Sequence, residues 1–265
     1  MPHSLEELAT IAFEVATEAA ELLLAGFRKH PAVTEKARAD LVTDFDLASE
    51  RLIRQRLTER TPEIAIVAEE QGGVAAPGAG RTWFCDPLDG TTNFVHGHPF
   101  FCVSIGLGEA GQPVAGAVVA PALGTHWLGF RGGPTLRNGE ACRVSQTSEL
   151  GHALVGTGFP SDRSRSPSNN FDAFVRIKQR LRGVRRCGSA AIDLCLVADG
   201  TYDAYWERRL NAWDVMAGSA LVLAAGGELS ALDGTPPDLS VGHILASNGR
   251  VHRDLLALLV EPPPG

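Results

Sequence analysis

Trp83-Phe84-Cys85-Asp86-Pro87-Leu88-Asp89-Gly90-Thr91-Thr92-Asn93-Phe94 decides how the rest of this chain is read. An apolar, strand-like run ends in two aspartates three residues apart, Asp86 and Asp89, and a glycine with two hydroxyl residues follows at once. Two carboxylates crowded at the mouth of a buried strand repel each other unless a cation lies between them. Gly90-Thr91-Thr92 has the character of a helix start, whose free N–H groups and positive dipole end suit an anion. Acids for a hard metal beside amides for a phosphate point to a metal-dependent phosphate-ester site. A tight Asp-Pro turn would explain one acid, but neither the second nor the aromatic strand before it.

Three further acidic clusters bear on that site. Glu69-Glu70 closes the apolar run Ile64–Ala68, and ligands gather beyond the carboxyl ends of strands in open α/β sheets. Taken alone the pair is a solvated loop. Asp40-Leu41-Val42-Thr43-Asp44-Phe45-Asp46 holds three acids in seven residues; Asp44 or Asp46 can cap the helix that follows, but capping needs only one. Trp213-Asp214 opens the apolar stretch Val215–Ala225, where Asp214 either complements the helix dipole or is a carboxylate shielded by its aromatic neighbour.

The bulk properties narrow the class. A chain of 265 residues can bury a substantial core. Its net charge of −7 argues against a general nucleic-acid binder. Five dispersed cysteines without a C-x-x-C pair fit reduced thiols, and no signal pattern or long apolar window occurs. A cytoplasmic protein without a membrane span is expected.

Helical spacing over residues 4–28, with Ser4 and Glu7 as a capping box, predicts an amphipathic helix, and a second runs from about Asp46 to Arg60. Strands are predicted near 63–68, 83–89, 100–107, 113–119 and 125–130, with a hairpin at Asn138-Gly139. Alternation follows: strand 153–157, helix 170–181, strand 184–186, helix 189–198, strand 202–206, helix 212–225, strands 228–231 and 243–246, helix 251–259. Segments 72–80 and 161–170 read as loops, the latter bordering the substrate entrance. A meander-rich first half and an alternating second half predict two sheets layered with helices. Gly106-x-Gly108-x-x-Gly111 matches a dinucleotide pattern literally, but strand rather than helix follows, so a hairpin turn is expected. His96-Gly97-His98 reads as loop or interface, and the five bases of Lys178–Arg186 as solvated helix end and strand, with anion steering or a nucleic-acid contact as the alternative.

Together the blocks Asp86–Phe94, Trp213–Gly218 with Ala225-Gly226-Gly227, Asp40–Asp46, Glu69-Glu70 and Gly188–Ala191 closely resemble the inositol monophosphatase family, in order and spacing, along essentially the whole chain. The resemblance implies a layered αβαβα sandwich, with one catalytic domain made of an N-terminal lobe, about 1–149, and a C-terminal lobe, about 150–265. It implies two to three Mg²⁺ ions, frequent lithium sensitivity and a homodimer. By position, Glu69, Asp86 and the Leu88 carbonyl match a first metal site; Asp86, Asp89 and Asp214 match a second, with Glu69 contributing to a third. Thr91 and Asp46 match the pair that activates water, Gly90, Thr91 and Thr92 the phosphate cradle, and Ala190 and Glu207 the contacts to the alcohol. Asp89 and Asp214 also border the substrate. The implied reaction is hydrolysis of a small phosphate monoester, inositol 1-phosphate foremost. Alternatives are fructose 1,6-bisphosphate, histidinol phosphate or a 3′-phosphoadenosine nucleotide, Arg208-Arg209 favouring a second phosphate, or a regulatory role of the 178–186 stretch.

Overall fold

Ser4 begins the first helix by a reciprocal cap: its hydroxyl accepts from the Glu7 amide at 3.2 Å, and its own amide donates to the Glu7 carboxylate at 2.8 Å. The helix, α1 (Leu5–Gly26), buries Leu8, Ala12, Val15, Ala19 and Leu23, the stripe its spacing requires. A computed structural model describes residues 3–29, 33–37, 40–73, 80–160, 164, 169–240 and 242–260. Most of the two expected loops, 72–80 and 161–170, lies outside the described residues.

After α1 come a short antiparallel hairpin, β1 (Val33–Ala37) and β2 (Asp40–Thr43), and helix α2 (Asp44–Arg60). The hairpin was not expected from the sequence. Thr43, rather than either neighbouring acid, caps α2: its hydroxyl accepts from the Phe45 amide at 3.1 Å, and Asp46 completes the box by accepting from the Thr43 amide at 2.8 Å. Next follow β3 (Ala65–Ala68), β4 (Arg81–Asp89), the single-turn α3 (Thr91–Val95), β5 (Cys102–Glu109), β6 (Gln112–Ala120), β7 (Thr125–Phe130), β8 (Thr135–Arg137) and β9 (Glu140–Cys142). These strands lie in one sheet in the order β3-β4-β5-β6-β7-β8-β9. Only β3 and β4 run parallel. Asn138 and Gly139 both have positive φ, as the predicted two-residue turn demands.

The second half alternates: β10 (Leu154–Thr157), α4 (Phe171–Lys178), β11 (Gly183–Arg185), α5 (Ala190–Ala198), β12 (Ala204–Glu207), α6 (Ala212–Ala224), β13 (Glu228–Ser230), β14 (Ile244–Ser247) and α7 (His252–Val260). Its sheet runs β11-β10-β12-β14-β13. Helices α1 and α2 cover one face of the large sheet, α5 and α6 fill the space between the sheets, and α4 and α7 cover the outer face of the small one. The expected αβαβα layering is present.

Two local devices connect this architecture to the acids. Side chains alternate faces along a strand, so residues three apart point to opposite sides. In β4, however, Asp86 pairs with Ser104 while Asp89 pairs with Cys102, three steps on one strand against two on the other. The extra residue is a bulge at Pro87-Leu88, where proline has no amide to give the ladder, and it turns Asp89 back to the side of Asp86. The second device corrects the reading of the glycine pattern. Gly106 and Gly108 belong to β5 rather than to a turn, which holds only Gly111. Gly106 and Gly116 face each other across β5 and β6, and α6 lies directly on them. A Cβ at Gly106 would stand 2.4 Å from the Ala217 amide nitrogen, and one at Gly116 2.7 Å from the Ala217 Cα.

Because those contacts are to backbone, a methyl there must displace the helix. Gly106→Ala should therefore destabilise by about 1–3 kcal/mol, read as a lower urea midpoint at unchanged slope; an unaltered midpoint would mean that α6 does not rest on this surface.

Candidate active site

The bulge ends at Gly90, which adopts a left-handed conformation, φ 94°. A Cβ there would meet the Phe100 carbonyl oxygen at 2.9 Å, so glycine is required on both counts. The first bond of α3 runs from the Phe94 amide to the Gly90 carbonyl, 3.0 Å, so the turn itself does not consume the amides before Phe94. Asp86 is buried just behind, accepting from the Leu88 amide at 3.0 Å.

Helix α2 supplies the next wall. The Thr91 hydroxyl donates to Asp46 and the Leu88 carbonyl, at 3.0 and 3.1 Å. Burial raises the Asp46 carboxyl above its ordinary range, while bonds from Thr43 and Thr91 oppose the shift. One turn on, Ser49 donates to the Pro87 carbonyl at 2.8 Å, pinning the bulge.

The second half closes the site. Ser189, the cap of α5, and the Ala191 amide each donate to one Asp89 oxygen at 2.7 Å. Asn93 ties α3 to the Cys187 carbonyl at 2.8 Å. Asp214 accepts from the Asn211 amide at 2.6 Å, completing a helix cap, and stands half-buried in the cleft wall. Glu207 accepts from the Tyr205 hydroxyl and, chiefly through burial, is pushed up from 4.5 to about 7.

These residues surround a cleft of about 540 Å³. Of the residues predicted from sequence, Glu69, Asp89, Gly90, Thr91, Thr92, Ala190, Glu207 and Asp214 line it; Asp46, Asp86 and Leu88 are buried, connected to it through Thr91 and the bulge. Arg208 is not on it. It lines a separate cavity of about 440 Å³ with His243, and among the described residues Arg186 is the cation that lines the cleft. Sequence reasoning also missed Thr43, Ser49, Asn93, Ser189 and Asn211. Thr43-x-x-Asp46 and Asn211-x-x-Asp214 carried the capping spacing, and Asn93 and Ser189 lay inside the family blocks without an assigned role; Ser49 carried no signal.

The electrostatics fit a hard cation. Burial lifts Asp86 well above the carboxylate range, and Glu69, Asp89 and Asp214 lift it further by like-charge repulsion. Asp214 is raised by burial and then by Glu69 and Asp89; burial raises Asp89 against its Ser189 and Ala191 donors. Among the described residues no three acid, His or Cys side chains are grouped so as to hold a metal ion as they stand; Asp86, Asp89 and Asp214 each bond a backbone amide. The donors are nevertheless oxygen only. Cys102, 3.9 Å from Asp89, is held protonated by burial and that charge. Oxygen donors with water-accessible space beside them suit Mg²⁺-like ions rather than soft metals.

The model of the inositol monophosphatase family matches residues 4–262. An inositol-1-monophosphatase of Synechocystis is 41% identical over 263 residues, 99% of this chain and 92% of its own. The Nus factor SuhB of Pseudomonas aeruginosa is 37% identical over 261 residues, covering 96% of each chain. A solved inositol monophosphatase from Anabaena superposes with a TM-score of 0.90 at 40% identity, covering 98% of both chains. With likeness of this depth running from one end to the other, the chain belongs to the inositol monophosphatase family, metal-dependent hydrolases of phosphoric monoesters.

Proposed function

We propose that this enzyme hydrolyses a small polyol phosphate, myo-inositol 1-phosphate foremost, with two to three Mg²⁺ ions. The observation that carries the reading is the mutual repulsion of Glu69, Asp86, Asp89 and Asp214 beside the Gly90 turn. Glu69, Asp86 and the Leu88 carbonyl would hold one ion, Asp86, Asp89 and Asp214 a second, and Glu69 would help hold a third. When bound, such ions acidify water and neutralise charge on the phosphoryl and leaving oxygens.

The chain's own groups do the rest by positioning. With its hydrogen directed at Asp46, the Thr91 oxygen accepts a hydrogen bond from the attacking water. Asp46, raised by burial, is the stronger proton acceptor for it. Amides of the turn after Gly90, with the Thr91 and Thr92 hydroxyls, receive the phosphate oxygens. Ala190 and Glu207 border the alcohol, where Glu207 accepts from a hydroxyl. The absence of Arg208 from the cleft weighs against a bisphosphate. Both halves contribute acids, so the lobes act as one catalytic unit. We read it as cytoplasmic, supported by its free cysteines, and as a homodimer on the family likeness alone; no helix among the described residues is long and apolar enough to cross a membrane. A second reading, contact with nucleic acid, draws on the likeness to a Nus factor and on the exposed Lys178, Arg180, Arg182 and Arg185; steeply salt-dependent RNA binding would support it.

Phosphate release from a panel of monoesters, with Mg²⁺ and with added Li⁺, tests the substrate: inositol 1-phosphate should lead and lithium should inhibit. Asp46→Asn or Thr91→Ala should lower kcat by about 10²–10⁴-fold. Asp86→Asn and Asp214→Asn should remove Mg²⁺-dependent turnover, and an Asp214→Asn protein as active as wild type would refute the assignment.

A pH profile of stability gives an independent check. The raised acids bind more protons folded than unfolded, so in EDTA their contribution to stability should be fully present below the ordinary carboxylate range and be lost as pH rises, for Glu207 between 4.5 and about 7. Mg²⁺ at roughly 100 times its Kd should return about 2.7 kcal/mol, seen as a higher Tm that grows with pH. A metal-insensitive Tm at pH 8 would contradict the metal assignment.

A further inference from the structure

Glu50 is a carboxylate the reaction does not use, buried to 0% exposure one helical turn beyond Asp46. Each of its oxygens is committed. Oε2 accepts from the Glu70 amide at 2.7 Å; Oε1 accepts from the Gln71 amide at 3.0 Å and from Arg54 Nε at 2.8 Å. Arg54 reaches past it to donate through Nη2 to the Gly72 carbonyl. The residues directly after Glu69 are thus gripped at two donors and one acceptor by a single ion pair on α2.

A turn staple serving stability alone would be the plain explanation, but the company of Glu50 argues for more. Asp46, Ser49 and Glu50 occupy one buried face of α2. Each fixes a different acid-bearing segment: Asp46 bonds Thr91, Ser49 the Pro87 carbonyl, and Glu50 the 70–71 amides. A neutral acceptor would hold a turn without adding another carboxylate near Asp86; the charge of Glu50 already bears on Cys85, next to Asp86 in β4. Arg54 offsets that charge, and charge-assisted bonds are shorter and stiffer than neutral ones.

From this geometry we propose that the Glu50–Arg54 pair is the positioning device for Glu69, setting its carboxylate for divalent-cation loading. The inference rests on the reading of the cleft as a metal site. Groups behind a metal ligand typically control affinity by about 10–100-fold.

The test is Mn²⁺ binding by calorimetry or electron paramagnetic resonance on the full-length protein, with Mg²⁺ activation curves alongside. Glu50→Gln preserves size but opposes an NH₂ to two amide donors; it should weaken Mn²⁺ binding about 10–100-fold and shift the Mg²⁺ activation midpoint equally, with kcat at saturating Mg²⁺ within a few-fold of wild type. Arg54→Lys, a milder change that cannot span both partners, should give an intermediate shift and covers the case in which Glu50→Gln does not fold. A lower Tm with unchanged Mn²⁺ affinity in either folded variant would overturn the proposal and leave a structural staple. Wild-type protein that binds no Mn²⁺ would instead defeat the reading of the cleft itself.

Discussion

Burying carboxylates within reach of one another is the constraint around which this molecule is arranged. Each loses hydration and each raises its neighbours, so Asp86, at the centre, carries the sum of burial and three repulsions. Such a cluster survives folding because every member is given something to hold: Leu88 for Asp86, Ser189 and Ala191 for Asp89, Asn211 for Asp214. Most of these donors are backbone amides or short hydroxyls fixed by the fold, so they orient each carboxylate as well as partner it. What the donors leave is the mutual repulsion of the acids, which a dication would relieve.

The same constraint explains why the acids come from distant segments. Strand β4 presents two, and because they are three residues apart it needs the bulge at Pro87-Leu88 to do so. The others arrive from the exit of β3, from α6 and, one layer back, from the first turn of α2. Helix α2 acts as a frame, touching the Thr91 turn, the bulge and the 70–71 backbone from one face. Stiffness at that frame is worth more to the reaction than additional contacts, since displacement at phosphorus depends on alignment.

Much of this was legible beforehand. Helical spacing placed α1 to within a residue or two, Asn138-Gly139 marked its hairpin, and the acidic blocks named most of the acids that line the cleft. What could not be read depended on partners far along the chain. Gly106 suggested a turn because its real neighbour, Ala217, lies more than a hundred positions away. Glu50 carried no motif, only its register with Asp46. The β1–β2 hairpin was missed because Val33–Ala37 mixes threonine, glutamate and lysine with few apolar residues, leaving little alternation to detect. Arg208 was misjudged for the opposite reason: adjacency to Glu207 in sequence says nothing about sidedness once a strand has ended.

Where α6 lies on Gly106 and Gly116, the strands meet the backbone of Ala217, with only the Met216 and Ala217 Cβ atoms beside it. The separation between Asp214 and the strand that bears Asp86 is thereby gauged by peptide atoms, whose dimensions are the same in every protein. A Cβ at either glycine would push α6, and Asp214 with it, away from the strands, so the width of the cleft depends on two positions that lie outside it.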